Sequence, residues 1–194
     1  MIERTLVLLK PDAVQRSLIG EIITRFERSG MKIVASKMTI ANKNMASDHY
    51  IADEEYLLGV GNKAKSTAEK RGEPVTETAL EIGTKIRNMN MDYLTMSPVF
   101  AIILEGHDAI AHVRKLVGNT EPKQAFPGTI RGDYSFDTYK LGDVSKRPTQ
   151  NLIHASDSVE AAEREISVWF KPEEIHSWKK IDEAILYRGL NDKK

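Results

Sequence analysis

The sequence predicts a mixed α/β domain in which helices cover one sheet, and three observations carry that expectation. Four short apolar runs with strand character are separated by segments whose apolar residues recur every three to four positions. The chain has 194 residues, enough for one domain with a substantial core and too few for two complete ones. The last strand runs straight into a cluster of hydroxyls and a carboxylate (Ser156, Asp157, Ser158), the residue types that open a helix. On residues alone, this order fits both an antiparallel α+β sheet and a parallel α/β sheet.

The elements follow in order. Residues 5–9 read as a buried strand, apolar on both faces and stopped by Lys10 and Pro11. Asp12 is a candidate N-cap for one helix whose face is Val14, Leu18, Ile22 and Phe26, widened by Ile19 and Ile23 and closed by Gly30. Residues 31–40 suggest a second strand and 46–58 a short helix around Asp48, His49 and Tyr50. Residues 59–90 have the look of an insertion, polar at first and then helical through Ile82, Ile86, Met89 and Tyr93, with Gly83 weakening the pattern. A third strand spans 99–104, and Asp108 caps a helix over Ala109, Val113 and Leu116 that ends at Gly118. Residues 119–149 read as irregular, and a loop of that length in a compact domain usually serves function or is disordered. A fourth strand spans 152–155. The helix after it carries Ala162, Ile166, Trp169 and Phe170 on one face, with Asp157 and Glu160 at capping-box spacing. After Pro172 an amphipathic helix through Trp178, Ile181 and Ile185 is expected, fraying over 191–194.

Composition excludes several functions. Lys plus Arg and Asp plus Glu both number 28, so no overall field favours nucleic acid or an anionic membrane, and an anion site must be local. With no cysteine, disulfides, thiolate nucleophiles and zinc-thiolate sites are out, which fits a reducing interior and a cytoplasmic location. The apolar run at residues 6–9 is too short for a signal peptide or membrane span.

The chemistry concentrates in two places. The loop RKLVGNTEPKQAFPGTIRGD, residues 114–133, supplies Arg114, Thr120 and Arg131, and Lys10 adds a third cation. Guanidinium forks with a hydroxyl are suited to polyphosphate, each charge-assisted bond contributing roughly 1.5–3 kcal/mol; the bland alternative is that the arginines are solvated or pair with Asp133 and Glu121. His154 sits where a helix N-terminus favours anions and disfavours a protonated ring. Glu165, two turns into that helix, can fix one ring nitrogen as donor and leave the other free to attack, while its charge pulls the ring's proton affinity the opposite way. Without such neighbours, a lone histidine in a strand-to-helix turn is simply a satisfied structural residue.

The stretches 2–30 (IERTLVLLKPDAVQRSLIGEIITRFERSG), 97–106 (SPVFAIILEG), 114–133 and 151–170 (NLIHASDSVEAAEREISVWF) together closely resemble nucleoside diphosphate kinase, in its longer archaeal-type form. The joint occurrence of KPDAVQR, GTIRGD and NxxHxSDS is specific. The resemblance implies a ferredoxin-like βαββαβ fold with an antiparallel four-stranded sheet. It makes residues 1–194 a single domain with insertions at about 59–90 and 134–149 and an extension over 171–194. It implies ping-pong transfer of the γ-phosphoryl of a nucleoside triphosphate to a nucleoside diphosphate through phosphohistidine at His154. Carried over by motif, Lys10 would touch the ribose and the transferring phosphate and Asn151 the sugar. Arg114, Thr120 and Arg131 would hold phosphates, Tyr50 would support Lys10, Ser156 and Glu165 would orient His154, and Tyr56 would stack on the base. Mg²⁺ would ride on the nucleotide phosphates without a protein cage, and the assembly would be a homo-oligomer, most often a hexamer. Ala155 and Ser17 depart from the glycines usual in the family.

The other motifs do not compete. GVGNKA at 59–64 mimics a dinucleotide fingerprint but follows a helical segment instead of a strand, and no GxxxxGK[ST] loop occurs. Arg131-Gly132-Asp133 resembles an adhesion motif in a chain with no other extracellular feature. The rival functions are a catalytically silent nucleotide-binding or regulatory protein on the same fold, against which His154, Lys10, Arg114 and Arg131 occur together, and a structural or nucleic-acid-binding protein, which the charge balance disfavours.

Overall fold

The structure, a computed structural model, describes residues 2–188. Strands β1 (Ile2–Leu9), β2 (Lys32–Thr39), β3 (Val99–His107) and β4 (Ile153–Ala155) form one sheet in the order β2-β3-β1-β4. All three neighbouring pairs are antiparallel. The ambiguity left by element order is thereby removed, and the fold is ferredoxin-like.

The run Leu6 to Leu9 is buried at every residue because both faces of the sheet are covered. Alternate side chains of a strand point to opposite faces. Val7 and Leu9 join Ile102 and Leu104 beneath α2 (Ile19–Arg28) and α6 (Ala109–Val117). Leu6 and Leu8 join Ala101 and Ile103 beneath α3 (Lys43–His49), α5 (Ala79–Thr95) and α9 (Val159–Trp169), which contribute Ala46, Leu94 and Trp169.

Several boundaries differ from expectation. The single helix expected over residues 12–30 is two, α1 (Pro11–Gln15) and α2, because Ser17 adopts a left-handed φ of 57° between them. Asp12 does not cap: Lys10 holds that position, Pro11 begins the helix, and the carboxylate is used elsewhere. The helix expected over 46–58 also divides. Asn42 caps α3 by accepting from Met45 N at 2.9 Å, and Asp53 caps α4 (Glu54–Lys70) by accepting from Tyr56 N at 2.8 Å.

The stretch 119–149, read as irregular, contains α7 (Ile130–Tyr134) and α8 (Tyr139–Val144), capped by Thr129 and Thr138. Its order comes from the buried Asp137, whose carboxylate accepts from Arg147 Nη1 at 2.6 Å and from the Gln150 amide at 2.6 Å. The Asp157–Glu160 box does not form; Ser158 caps α9 through Ala161 N at 3.0 Å.

The long helix expected after Pro172 is absent. An extended segment docks beside β2, with His176 N donating to Val34 O at 2.8 Å and Trp178 Nε1 to Ile33 O at 3.1 Å, before a single turn, α10 (Glu183–Leu186). Ile181 is left 96% exposed, so the apolar spacing was not a buried face. The fraying predicted for 191–194 lies outside the described residues. No helix among the described residues is long and apolar enough to cross a membrane.

α4 and α5 form an antiparallel pair whose closeness depends on glycine. A Cβ on Gly61 would lie 1.7 Å from Ala79 O, and one on Gly83 2.0 Å from Leu57 O. The glycine that weakened the helix pattern is therefore what brings the two backbones together. Gly83→Ala is expected to lower stability by about 1–3 kcal/mol despite alanine's better helix propensity, because backbone must move to admit the methyl. Equilibrium denaturation will read this; an unchanged or raised midpoint would contradict the packing.

Candidate active site

The pairing of β4 with β1 places Leu8 opposite His154. Just beyond it, Lys10 N donates to Leu152 O at 2.8 Å, so the residue that ends β1 lies beside the one that begins the histidine segment. Lys10 Nζ then meets Asn151 Oδ1 at 2.9 Å, and Asn151 Nδ2 donates to Thr120 O at 2.9 Å. Between Asn151 and Ile153 the chain makes a tight three-residue turn, with Ile153 N donating to Asn151 O at 2.7 Å and Leu152 at φ 67°. A left-handed leucine is strained by about 1–3 kcal/mol and persists only where its surroundings fix it. Leu152 is fully buried.

His154 Nε2 lies 2.8 Å from Glu165 Oε2, which also accepts from Ser156 Oγ at 2.7 Å. Burial opposes ionisation of Glu165, but the bonds from His154 and Ser156 and the charge of Arg164 outweigh it and hold the carboxyl below its ordinary range. An ionised carboxylate only accepts, so Nε2 carries the proton and Nδ1 presents its lone pair. Nδ1 makes no hydrogen bond among the described residues, and the ring lines a cleft of about 760 Å³. Ser156 also accepts from Leu6 N at 3.2 Å, tying the orienting group to the central strand.

Three cations line the same cleft as this ring. Burial, then the charge of Arg131, lowers Lys10 to about 8, with Asp12 acting the other way. Arg131 is buried and donates to three carbonyls, Asn151 O, Gly118 O and Ile153 O, at 3.0, 3.0 and 2.5 Å. Burial, followed by repulsion from Arg114, lowers it to about 10. Arg114 is exposed at the cleft and reaches Ala155 O at 3.3 Å. Lys10 and Arg131 hold positive charge out of water, and among the described residues no carboxylate is bonded to any of the three, an environment that an anion relieves.

Every residue singled out in the sequence lines this cleft or its floor: Lys10, Tyr50, Tyr56, Arg114, Thr120, Arg131, Asn151, His154 and Glu165 line it, and Ser156 lies behind His154. Tyr50, expected to support Lys10, makes no hydrogen bond to it among the described residues, where Lys10 Nζ donates to Asn151 Oδ1. Tyr50 is buried, which raises its hydroxyl above its ordinary value. Tyr56 lies within electrostatic reach of Glu165 and Asp157. From it a single face of α4, Val60, Lys63, Ala64, Thr67 and Arg71, continues along the cleft for roughly 22 Å at helical rise. Arg71 closes the run with a 2.8 Å ion pair to Asp143 of α8.

Sequence reasoning missed His49. Its ring stands 4.5 Å from that of His154, edge to face, and Trp169 Nε1 donates to its Nδ1 at 3.4 Å. Indole only donates, so His49 carries its proton on Nε2, where it has no hydrogen-bond partner. Burial first, then the charges of His154, Lys10 and Arg164, keep it neutral. The one signal was its adjacency to Tyr50. His49, His154 and Glu165 have ligand atoms within 4.8 Å of one another, but two nitrogens and one carboxylate suit a softer ion than Mg²⁺, which takes six oxygens.

A ferredoxin-like sheet whose cleft is lined by an oriented histidine and three cations fits the phosphotransferases. The sequence pattern of the nucleoside diphosphate kinase family matches residues 3–57 and 81–175, and the chain belongs to that family. It is 45% identical over 179 residues to the nucleoside diphosphate kinase of Pyrobaculum aerophilum, covering 90% of this chain and 98% of that one. The crystal structure of an NDP kinase from the same organism superimposes with a TM-score of 0.88 at 43% identity, over 91% of this chain and all of the other. A transition-state mimic of the Borrelia burgdorferi enzyme with bound vanadate and ADP gives 0.76 at 38% identity, over 95% and 96%. The unmatched 58–80 covers most of α4 and the turn into α5, within the expected first insertion, whereas 134–149 falls inside the matched span.

The Lys10 ammonium sets a pH limit on anion binding. Its value is depressed to about 8, so the charge is present below pH 7 and lost as pH rises through 8. Affinity for inorganic tripolyphosphate should be flat below pH 7 and fall above pH 8 at a rate approaching tenfold per unit. Calorimetric titration from pH 6.5 to 9.5 checks this, and a constant affinity would assign the contact to other cations.

Proposed function

We propose that this chain acts as a nucleoside diphosphate kinase in which His154 Nδ1 is the nucleophile. The observation that carries the reading is the His154 Nε2 to Glu165 bond of 2.8 Å, which leaves the other ring nitrogen with its lone pair in a ring that lines the same cleft as the three cations. A nucleoside triphosphate binds as its Mg²⁺ complex, the metal travelling with the phosphates as part of the substrate. The Nδ1 lone pair attacks the γ-phosphorus, the bond to the β,γ-bridging oxygen breaks, and the diphosphate leaves. Positive charge that develops on the ring is stabilised by the Glu165 carboxylate, and the Nε2 proton stays in place. A second diphosphate then attacks the phosphohistidine through a terminal β-oxygen, the N–P bond breaks, and the ring returns to its starting state.

Lys10, Arg114 and Arg131 face the phosphoryl oxygens that gather charge during both transfers, and Thr120 adds a hydroxyl. Asn151, already bound to Lys10, is placed for the sugar. Tyr56 and the following face of α4 form the wall opposite Val117, along which the base lies. Contacts to sugar and phosphate carry no information about the base, so nucleotides of every base serve. His49, neutral and edge-on to His154, fixes the ring against rotation. The active form is a homo-oligomer of one-domain subunits; sedimentation of the purified protein reports its size.

Incubation with γ-labelled ATP and Mg²⁺ should leave acid-labile, base-stable label on the protein that chases onto added GDP. His154→Ala should take up none, and label retained on that variant would move the nucleophile. Glu165→Gln should form the phosphoenzyme roughly 10²–10⁴-fold more slowly, by analogy with loss of the carboxylate that orients a catalytic imidazole. No label on the wild-type protein would leave a nucleotide-binding protein without turnover.

A further inference from the structure

One carboxylate beside the site belongs to none of the roles above. Asp12 Oδ2 accepts the Leu152 amide at 2.9 Å, across 140 residues of sequence and at the centre of the left-handed turn. Asp12 Oδ1 is buried, and the Tyr93 hydroxyl hydrogen-bonds the Asp12 side chain. The Asp12 amide donates to Tyr93 Oη of α5 at 3.2 Å. No ion pair joins Asp12 to a cation among the described residues, yet its charge acts on Lys10, Arg131 and Arg147.

This arrangement is unusual for an aspartate in a first helical turn, where a solvated carboxylate would serve the helix dipole equally well. A buried carboxylate bonded to a backbone amide 140 residues away calls for a reason. Leu152 cannot hold φ 67° on its own, and its amide and carbonyl are both engaged from the α1 side of the site, by Asp12 and by Lys10 N. The residues hung on that turn are the working ones: Asn151 on one side, and Ile153 and His154 on the other. Asp12 also contributes negative charge close to the cluster, since Lys10 faces Arg131 from α7, His49 from α3 and Asp12 from α1, while Tyr93 of α5 and Arg147 face Asp12 itself.

We propose that Asp12 is a positioning residue with two separable parts: through Oδ2 it clamps the turn that carries Asn151 and His154, and through its charge it keeps Lys10 an ammonium ion when no anion is bound. The inference rests on the kinase reading only for its rate measurement.

Two variants separate the parts. Asp12→Asn keeps an acceptor for the Leu152 amide and removes the charge; Asp12→Ala removes both. Competitive acetylation of the intact ligand-free protein across pH 6–11, followed by peptide mass spectrometry, gives the titration midpoint of Lys10 without reference to activity. The midpoint should drop by about one pH unit in both variants, the size expected of one unit charge ~10 Å away at an effective dielectric constant of ~20. Phosphoenzyme formation at pH 6.5 should stay within about threefold of wild type in Asp12→Asn and fall on the order of 10²-fold in Asp12→Ala, as displacement of a reacting group by ~1 Å does. A wild-type Lys10 midpoint in Asp12→Asn overturns the charge role, and a wild-type rate in Asp12→Ala overturns the clamp. If Asp12→Ala does not fold, the Asp12→Asn midpoint still decides the first, and an Asp12→Asn rate as low as that of a misplaced histidine contradicts the second. Should the wild-type protein take no label, the kinase reading fails while the acetylation arm still tests Asp12.

Discussion

The guanidinium of Arg131 holds the site together. Its bonds to the carbonyls of Gly118, Asn151 and Ile153 join the end of α6, the left-handed turn and the first residue of β4, three segments that share no strand pairing with one another. A neutral donor could make such bonds with less penalty for burial. The charged one is retained at a cost, visible in its depression to about 10, and that cost falls when an anion occupies the cleft. Structural support and the local excess of positive charge are therefore one feature: the group that ties the backbone also lines the cleft.

The sheet sets where this happens. β4 is only three residues long, so the histidine segment is registered on β1 by few ladder bonds, and side chains from elsewhere complete the fixing. Ser156 reaches Leu6 through its hydroxyl and passes a second bond to Glu165, which links the imidazole to the most deeply buried strand. On the far side, α4 and α5 stand against each other through two glycines and present one helix face along the cleft. Rigid walls around an exposed ring nitrogen suit a reaction that depends chiefly on alignment.

Much of this was legible before the structure. Strand positions followed from apolar runs and survive because they depend on local pattern; His154, Glu165 and Arg131 stood out by residue type and position, Asn151 only through the family resemblance, and the fold brings all four to one cleft. The failures have in common that they turn on particular side-chain partners or backbone angles and not on apolar pattern. Asp12 looked like a cap because local rules favour one there, whereas its carboxylate goes to Leu152, 140 residues on. Asp137 gave no sign that it would order a stretch rich in glycine and proline. Ser17 broke a helix whose apolar periodicity ran through it unbroken, since Leu18 and Ile19 still pack on the core after the turn. His49 carried no pattern at all, because a neutral ring packed against Trp169 and His154 is recognisable only in three dimensions.

The extended segment after Pro172 does more than fill space. β2 is an outer strand, and its backbone offers free hydrogen-bonding groups to any passing chain. His176 and Trp178 occupy the carbonyls of Val34 and Ile33, and Glu174 grips Lys37 at 2.7 Å. The molecule thus carries its own selvedge: the start of that border is hemmed by its own thread, and any chain that stitches on in sheet fashion would have to begin beyond Val34.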